Sequence, residues 1–405
     1  VNTMWGSPTP HPDPDHVFNR HGPAAEGRDR WLSKRNDGEE LIGSSAFIDP
    51  GHPDARDYIV DAITSIVDEY DVDGINLDYI RYPDYNSTAS HSDWGYNDTS
   101  VARFQAATGR SDLPPADDPE WSAWRRDQVT SLVRRIYLSL WEADPQARLS
   151  VNAITFGESP QHLGAFERTA AHAVVLQDWK GWLGEGIIDT AVTMNYKRAE
   201  QPPQDRMFAE WSEFLADNQG KRQAVNGPGL YLNPVEDNLD QALIASRPTP
   251  AGNVAAGWSG YSYANPSGDS VDESQEERDA ERAELTELLT GSDGPFAEPA
   301  AVPQMPWKTN PDDGHVAGYA RLDDGTPLDG ATVTLRPLAG DGEAVEQTVD
   351  GSGWFGFVHV TPGAYVVEVE LPSRVLGQPL HFVRVNAGEI ADGSHPSLAK
   401  VPLAR

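Results

Sequence analysis

Apolar residues recur along this chain with two different periods, and the change between them marks its organisation. Over 54–70, 121–144, 206–219, 239–247 and 273–290 they return every three to four positions, as in helices that bury one stripe. Around those segments, 72–80, 147–156, 187–196, 222–232 and 253–263 are short, mostly apolar runs, which predict strands covered on both faces. Strand and helix alternate, so the pattern predicts a parallel sheet with helices packed on it. Five strand–helix units can be counted, and residues 1–5 read as the end of a sixth strand. A closed (β/α)8 TIM-type barrel needs eight. The count therefore predicts an α/β barrel missing its first two to three strand–helix units. The other arrangement, a complete open doubly wound sheet, would carry a Gly-rich phosphate loop after its first strand, and none is visible.

Beyond residue 290 the period falls to two. Runs at 315–322, 331–338, 354–360, 364–371 and 381–388 are short and β-rich, with Gly- and Asp-rich turns between them, which predicts a small antiparallel β-sandwich. Residues 291–314, dense in Gly, Pro, Ala and Asp and lacking either period, read as a linker or strap. The expected domains are thus 1–290, a partial barrel; 291–314, a linker; and 315–405, the sandwich. Gly318, Asp324-Gly325-Thr326-Pro327-Leu328, Gly330-Ala331 and Val333, followed by Gly353, Phe355, Phe357 and Pro362-Gly363-Ala364-Tyr365, resemble the carboxypeptidase regulatory-like (transthyretin-like) family of β-sandwich modules. That resemblance covers nearly all of 315–400 and implies a non-catalytic module, which places the chemistry upstream.

Charge and composition narrow the function. Lys and Arg number 31 against 63 Asp and Glu, a net charge of −32, so nucleic acid and anionic membranes are repelled over most of the surface. The absence of Cys removes thiol nucleophiles, Cys-ligated zinc, iron–sulfur centres and disulfides together. No apolar run approaches the roughly 18 residues of a spanning helix. The sequence opens on Val1-Asn2-Thr3 without Met or an apolar leader, so an export signal is expected to lie outside it, with an extracellular, periplasmic or cell-surface destination.

In a parallel barrel the working residues sit at the C-terminal ends of strands and on the loops that follow. The segment Asp73-Gly74-Ile75-Asn76-Leu77-Asp78-Tyr79-Ile80-Arg81-Tyr82-Pro83 has that form: an apolar strand opening onto a carboxylate, a cation and two aromatics. Asp78 is the first catalytic candidate, flanked by Tyr79, Arg81 and Tyr82, with stacking surfaces for a sugar close by. Asp73 and Asp189 fall at strand beginnings, where a barrel invests in stability.

Several motifs then agree in order. Asp49-Pro50-Gly51-His52-Pro53-Asp54-Ala55-Arg56-Asp57-Tyr58-Ile59, the strand ending in Asp78, Trp124-Arg125-Arg126-Asp127-Gln128 and Gln177-Asp178-Trp179-Lys180 resemble the glycosyl-hydrolase-like 10 family of (β/α)8-barrel proteins, from residue 1 to about 290. The resemblance implies glycoside hydrolysis of a polysaccharide or cell-wall-type glycan by an exported protein. Many relatives carry a second Asp beside the strand-four carboxylate; here Tyr79 stands there.

Glycoside hydrolysis needs two carboxyl groups, about 5 Å apart for retention and 6.5–9.5 Å for inversion. Glu158, on the loop after 147–156, is the first candidate partner for Asp78, and Asp178 the second. Trp5, Tyr82, Trp179, Tyr196, Trp258 and Tyr261 all fall at expected strand ends or just after them, as platforms for a sugar, with Asn152, Asn195 and Lys197 as polar partners. His11, His16 and His21 lie in a Pro-rich stretch without helical phase and predict no metal site. The expected activity is a glycosidase without metal or cofactor whose partner is a carbohydrate. The alternative is a non-catalytic glycan-binding or scaffold protein that keeps the barrel, and a metal-dependent deacetylase or esterase is a distant third.

Overall fold

The computed structural model describes residues 2–270, 272–339, 342–371, 375–377, 380–394 and 398–400. In chain order it begins β1 (Thr3–Trp5), α1 (Val17–His21), β2 (Leu41–Ile42), β3 (Ser45–Phe47), α2 (Pro53–Glu69), β4 (Gly74–Leu77), α3 (Asp98–Thr108) and α4 (Pro119–Ala143). It continues β5 (Arg148–Ile154), α5 (Pro160–Leu163), α6 (Ala170–Ala173), α7 (Trp179–Glu185), β6 (Thr190–Asn195), α8 (Gln204–Asp217), β7 (Gln223–Pro228), α9 (Val235–Ser246), β8 (Gly257–Trp258) and α10 (Gln275–Thr290). It ends α11 (Pro306–Thr309), β9 (Gly314–Tyr319), β10 (Thr332–Pro337), β11 (Val345–Thr348), β12 (Trp354–Val360), β13 (Gly363–Val369), β14 (Val375–Gly377), β15 (Leu380–Val385), β16 (Ile390–Asp392) and β17 (Leu398–Lys400). Two compact units emerge. The first takes Val1–Ile75, Tyr79–Arg148 and Pro306–Arg405; the second takes Asn76–Asp78 and Leu149–Met305.

The second unit holds a parallel sheet in the order β4-β5-β6-β7-β8, each strand beside its chain neighbour, with Ser150 opposite Thr190 and Thr190 opposite Gln223. Its two faces differ. On one, Val151, Ala153, Ala191 and Ala224 are fully buried, with α8 and α9 packed over β6, β7 and β8. Phe208, Trp211 and Leu215 stand three and four residues apart along α8 and are buried, each contributing about 1.5–3 kcal/mol by leaving water. On the other face Asn76 is exposed, and Ser150, Asn152, Val192, Met194 and Val225 are only half-buried. Parallel sheets normally bury both faces.

The first unit joins the N-terminal helices to the sandwich. Asp118 caps α4 through the N–H groups of Glu120 and Trp121, and Pro119 pre-sets its first turn. β1 pairs antiparallel with β3 in a three-stranded sheet β1-β3-β2, where the sequence led us to expect a parallel sixth strand; the short β2–β3 hairpin, turning at Gly43 (φ +59°), supplies its partner. The sandwich has the expected alternation, with sheets β11-β10-β13-β15 and β12-β9-β16 closing over Val316, Val333, Leu335, Phe355, Phe357 and Val367. β16 departs from the antiparallel pattern and runs parallel to β9.

The compact units do not follow the division expected at 291–314, because the sandwich is docked on α2, α3 and α4. Arg56 of α2, fully buried, lies 3.2 Å from Asp350 and donates to the Gln128 carbonyl at 2.8 Å. Arg135 of α4 pairs with Asp57 at 2.5 Å and reaches Ser352 at 3.1 Å, while Arg103 of α3 forks onto Asp329 at 2.6 and 2.7 Å. Trp141 Nε1 donates to the Gly388 carbonyl at 3.0 Å. A Cβ on Gly356 would meet Leu138 at 2.7 Å, so sheet and helix touch directly. Lys308 of α11, also buried, donates to the Ala147 carbonyl and pins the strap.

Candidate functional site

Side chains alternate along a strand, so Asn76 and Asp78 lie on the half-buried face of the sheet. Asn76 donates to Asn152 at 3.0 Å and accepts from Ser150 Oγ at 2.9 Å, forming a polar row across β4 and β5 that leads to Asp78. Asp78 is the first residue past β4 and is exposed, as the strand-end argument expects. The same face of β6 ends in Tyr196. Burial, the Tyr261 and Tyr231 hydroxyls and the charge of Asp78 all push its phenol above the ordinary range. Asp78 and Tyr196 are therefore electrostatic neighbours.

Tyr196 is half-buried and stacks on Tyr261 with ring centres 5.5 Å apart and planes 20° apart; Tyr231 meets both rings edge-on at 6.0 and 6.1 Å. Tyr261 is 57% exposed, so this three-ring cluster offers an aromatic face to solvent. Tyr231, just past β7, was not among the sequence candidates, although the strand-end rule that found Tyr196 and Tyr261 applies to it equally. Lys197, next to Tyr196, is buried, and its ammonium donates to the Thr155 carbonyl at 2.8 Å. Its own carbonyl is held by Asn233 and Gln241, each at 3.0 Å. Burial alone pulls the Lys197 ammonium down to about 8.

The other expected residues are placed less favourably for substrate. Glu158 pairs with Arg206 at 2.7 Å, and Arg206 also holds Glu210. Asp178 caps α7 by accepting from the Gly181 N–H at 3.0 Å. Trp179 is wholly inside, its Nε1 donating to the Ile154 carbonyl at 3.0 Å, because it opens the buried stripe of α7. Asn195 is out of phase with Tyr196, so it points into the helix layer and donates to the Phe208 carbonyl at 3.0 Å. Trp258 packs on Phe296 and the cluster of Leu230, Val235 and Leu285. Neither Trp179 nor Asn195 offers a surface to a glycan. Asp189 is buried at the start of β6 and accepts from the Leu149 N–H at 2.7 Å, the stability role expected of it.

Within the first unit, Tyr79 adopts φ +52°, turning the chain sharply after Asp78, and Arg81 lies 4.6 Å over its ring. Arg81 is buried and donates to the Tyr82 carbonyl at 3.1 Å. Tyr82 is fully buried with its hydroxyl 3.5 Å from Asp49, so it belongs to the core and not to a sugar platform. Asp49 accepts from the Gly51 N–H at 2.8 Å and Ser100 Oγ at 3.0 Å; burial pushes its carboxyl up to about 6. Burial drives His52 down to about 4. Trp5 is half-buried under His11 and His16, which stack at 3.9 Å, while His21 stacks instead on Trp31. Among the described residues no group of three or more His, Asp or Glu is arranged to hold a metal ion.

A sequence profile of the family described as Glycosyl hydrolase-like 10 matches residues 24–228, half of the chain. The chain belongs to that family. Among curated Glycosyl hydrolase-like relatives, Glycosyl hydrolase YngK of Bacillus subtilis (strain 168) is 26% identical over 165 residues, 40% of this chain and 30% of that protein. Glycosyl hydrolase DigH of Escherichia coli (strain K12) is 26% identical over 150 residues, 36% of this chain and 31% of that protein. The chain thus spans under a third of the length of the curated relatives it matches. Among solved structures, the minor pilin of Streptococcus agalactiae is similar at 19% identity and a TM-score of 0.20 over 23% of this chain and 47% of that one. A score that low says nothing about fold or chemistry. Among the described residues no helix is long and apolar enough to cross a membrane.

Proposed function

We propose that this chain carries part of the catalytic domain of a glycoside hydrolase acting on a polysaccharide or cell-wall-type glycan, with Asp78 as one of its two carboxylates. The observation that carries this reading is an exposed carboxylate at the C-terminal end of a parallel strand, electrostatically coupled to a stacked tyrosine cluster with one open face. Aromatic faces take the apolar side of a sugar ring, and a carboxylate beside them can stabilise or attack the anomeric carbon. Within the second unit, Asn152, Lys197 and Trp258 extend the proposed substrate surface; Tyr79, Arg81 and Trp5 of the first unit are proposed as substrate contacts in their own right.

The sheet itself fits the later part of a (β/α)8 barrel. Its strands follow chain order without the reversal of a doubly wound sheet, and one face is left half-covered, as the inside of an unclosed barrel would be. A polymer that cannot enter the cytoplasm implies an exported enzyme. Glu158 is the preferred partner carboxylate because its ion pair is part-exposed and can open, whereas the Asp178 carboxylate is committed to a helix cap.

One observation favours the non-catalytic reading instead: Glu158 and Asp178 are both engaged by protein groups. Reducing-end release from a polysaccharide panel, measured for wild type and Asp78→Asn, separates the two. Release that disappears in the variant supports hydrolysis, and saccharide binding without release in either protein supports a binding module.

A further inference from the structure

Where the sandwich meets α3 and α4, the first unit leaves an open cleft of about 500 Å³, within the roughly 300–1,000 Å³ of small-ligand sites. One wall is a polar stripe of α4, on which Trp124, Asp127, Ser131 and Arg134 recur every three to four residues. The other is a face of β10 and β11, where Thr332 stands directly opposite Thr348 and Glu346 lies two residues along the same face. Further along α4, helix and sheet touch at Leu138 and Gly356; around Trp124 they stand apart.

The polar groups of the cleft fall into two sets. One set is used by the fold: Arg103 forks onto Asp329, Ser131 accepts from Arg56 at 2.9 Å, and Asp350 faces Arg56. The other set is not. Among the described residues, the side chains of Thr332, Glu346 and Thr348 and the indole N–H of Trp124 have no protein hydrogen-bond partner. Two hydroxyls, a carboxylate and an indole N–H thus supply both donors and acceptors to one cleft. Its charges nearly balance, with Arg56, Arg103 and Arg134 against Asp127, Asp329, Glu346 and Asp350, so an anion finds no net attraction there. A neutral ligand rich in hydroxyls matches such a mixed set. We propose that this cleft is a second carbohydrate site, which holds a short stretch of a neutral glycan through hydrogen bonds from its hydroxyls to Thr332, Glu346, Thr348 and Trp124. A glycan held there bridges α4 and the sandwich. The site lies entirely within the first unit and requires neither Asp78 nor the tyrosine cluster.

The test uses the full chain carrying Asp78→Asn and Tyr261→Ala, so that nothing is cut and the open ring of the tyrosine cluster is gone. Hexasaccharides of β-1,4-linked glucose, β-1,4-linked N-acetylglucosamine and β-1,3-linked glucose are titrated into it by calorimetry. The same titrations are made with Thr348→Trp added, which fills the cleft from an exposed strand position, or with Glu346→Ala added. Melting curves without ligand confirm that each variant is folded, and Glu346→Ala decides alone if Thr348→Trp is not. At least one hexasaccharide should bind the starting protein and raise its melting temperature. Thr348→Trp should abolish that binding, and Glu346→Ala should weaken it on the order of tenfold, since a hydrogen bond to a charged group is lost. Binding of none of the three to the starting protein, or binding left unchanged by a folded cleft variant, overturns the inference. Neither result bears on hydrolysis at Asp78.

Discussion

The seam between the sandwich and its helices and the mouth of the parallel sheet both bury positive charge, and they treat it in opposite ways. At the seam, burial pulls Arg56 down to about 10 while Asp350 works against the shift; burial would raise Asp350, but Arg56 and Arg135 hold it below the ordinary carboxylate range. The charges answer one another inside the protein. At the mouth, Lys197 falls to about 8 with nothing opposing it. A matched buried charge is explained by the fold that contains it. An unmatched one, held here by the Thr155 carbonyl, gives up its proton more readily.

The largest effect should come from Asp78→Asn, which is expected to lower reducing-end release by several orders of magnitude with little change in melting temperature, because Asp78 is exposed. Next, Asp350→Asn should cost about 3–5 kcal/mol in urea denaturation by stranding Arg56. A milder loss would mean that the seam is less dry than its burial implies.

Asp49 and His52 sharpen the same contrast through pH. Asp49 is raised from 3.8 to about 6, so its contribution is present below 3.8 and about 3 kcal/mol of it is lost as pH rises through 6. His52 is lowered from 6.5 to about 4, so its contribution, also about 3 kcal/mol, is present above 6.5 and lost as pH falls through 4. The two oppose each other between pH 4 and 6.5. Unfolding free energies should be nearly flat there for wild type and should rise with pH in Asp49→Asn.

Lys197→Met should stabilise the ligand-free protein by about 1–3 kcal/mol at pH 7, the reverse of what stranding Arg56 does. Wild type should itself gain stability between pH 8 and 10.5, where the unfolded chain still holds the proton that folded Lys197 has released. Smallest of all, Asp178→Ala removes one cap and should cost about 1 kcal/mol with no change in release.

Much of this was legible before any coordinates. The helical periods gave α2, α4, α8, α9 and α10 to within a few residues, since each buries one stripe and begins at a Pro, Asp or Ser signal or close to one. The strand-end rule singles out Asp78 and Tyr261, and both lie exposed at or just past strand ends. Tyr82 and Trp179 misled because an aromatic at a strand end can turn inward as readily as outward, and only phase and packing decide. The strand expected over 253–263 shrank to Gly257–Trp258, where a run with Gly at 252, 257 and 260 pairs only briefly with β7. The docking of the sandwich had no local signal at all. Its decisive pair, Arg56 and Asp350, is separated by 294 positions.

That separation also sets a timetable. A chain leaves the ribosome from its N-terminus at roughly 5–20 residues per second, so Arg56 waits on the order of 15–60 s for Asp350 to be made. During that interval the residues of the second unit, Leu149–Met305, are completed and can begin to fold. The half that is born first is thus the half that matures last, and until then the faces of α2 and α4 that will meet the sandwich stay uncovered.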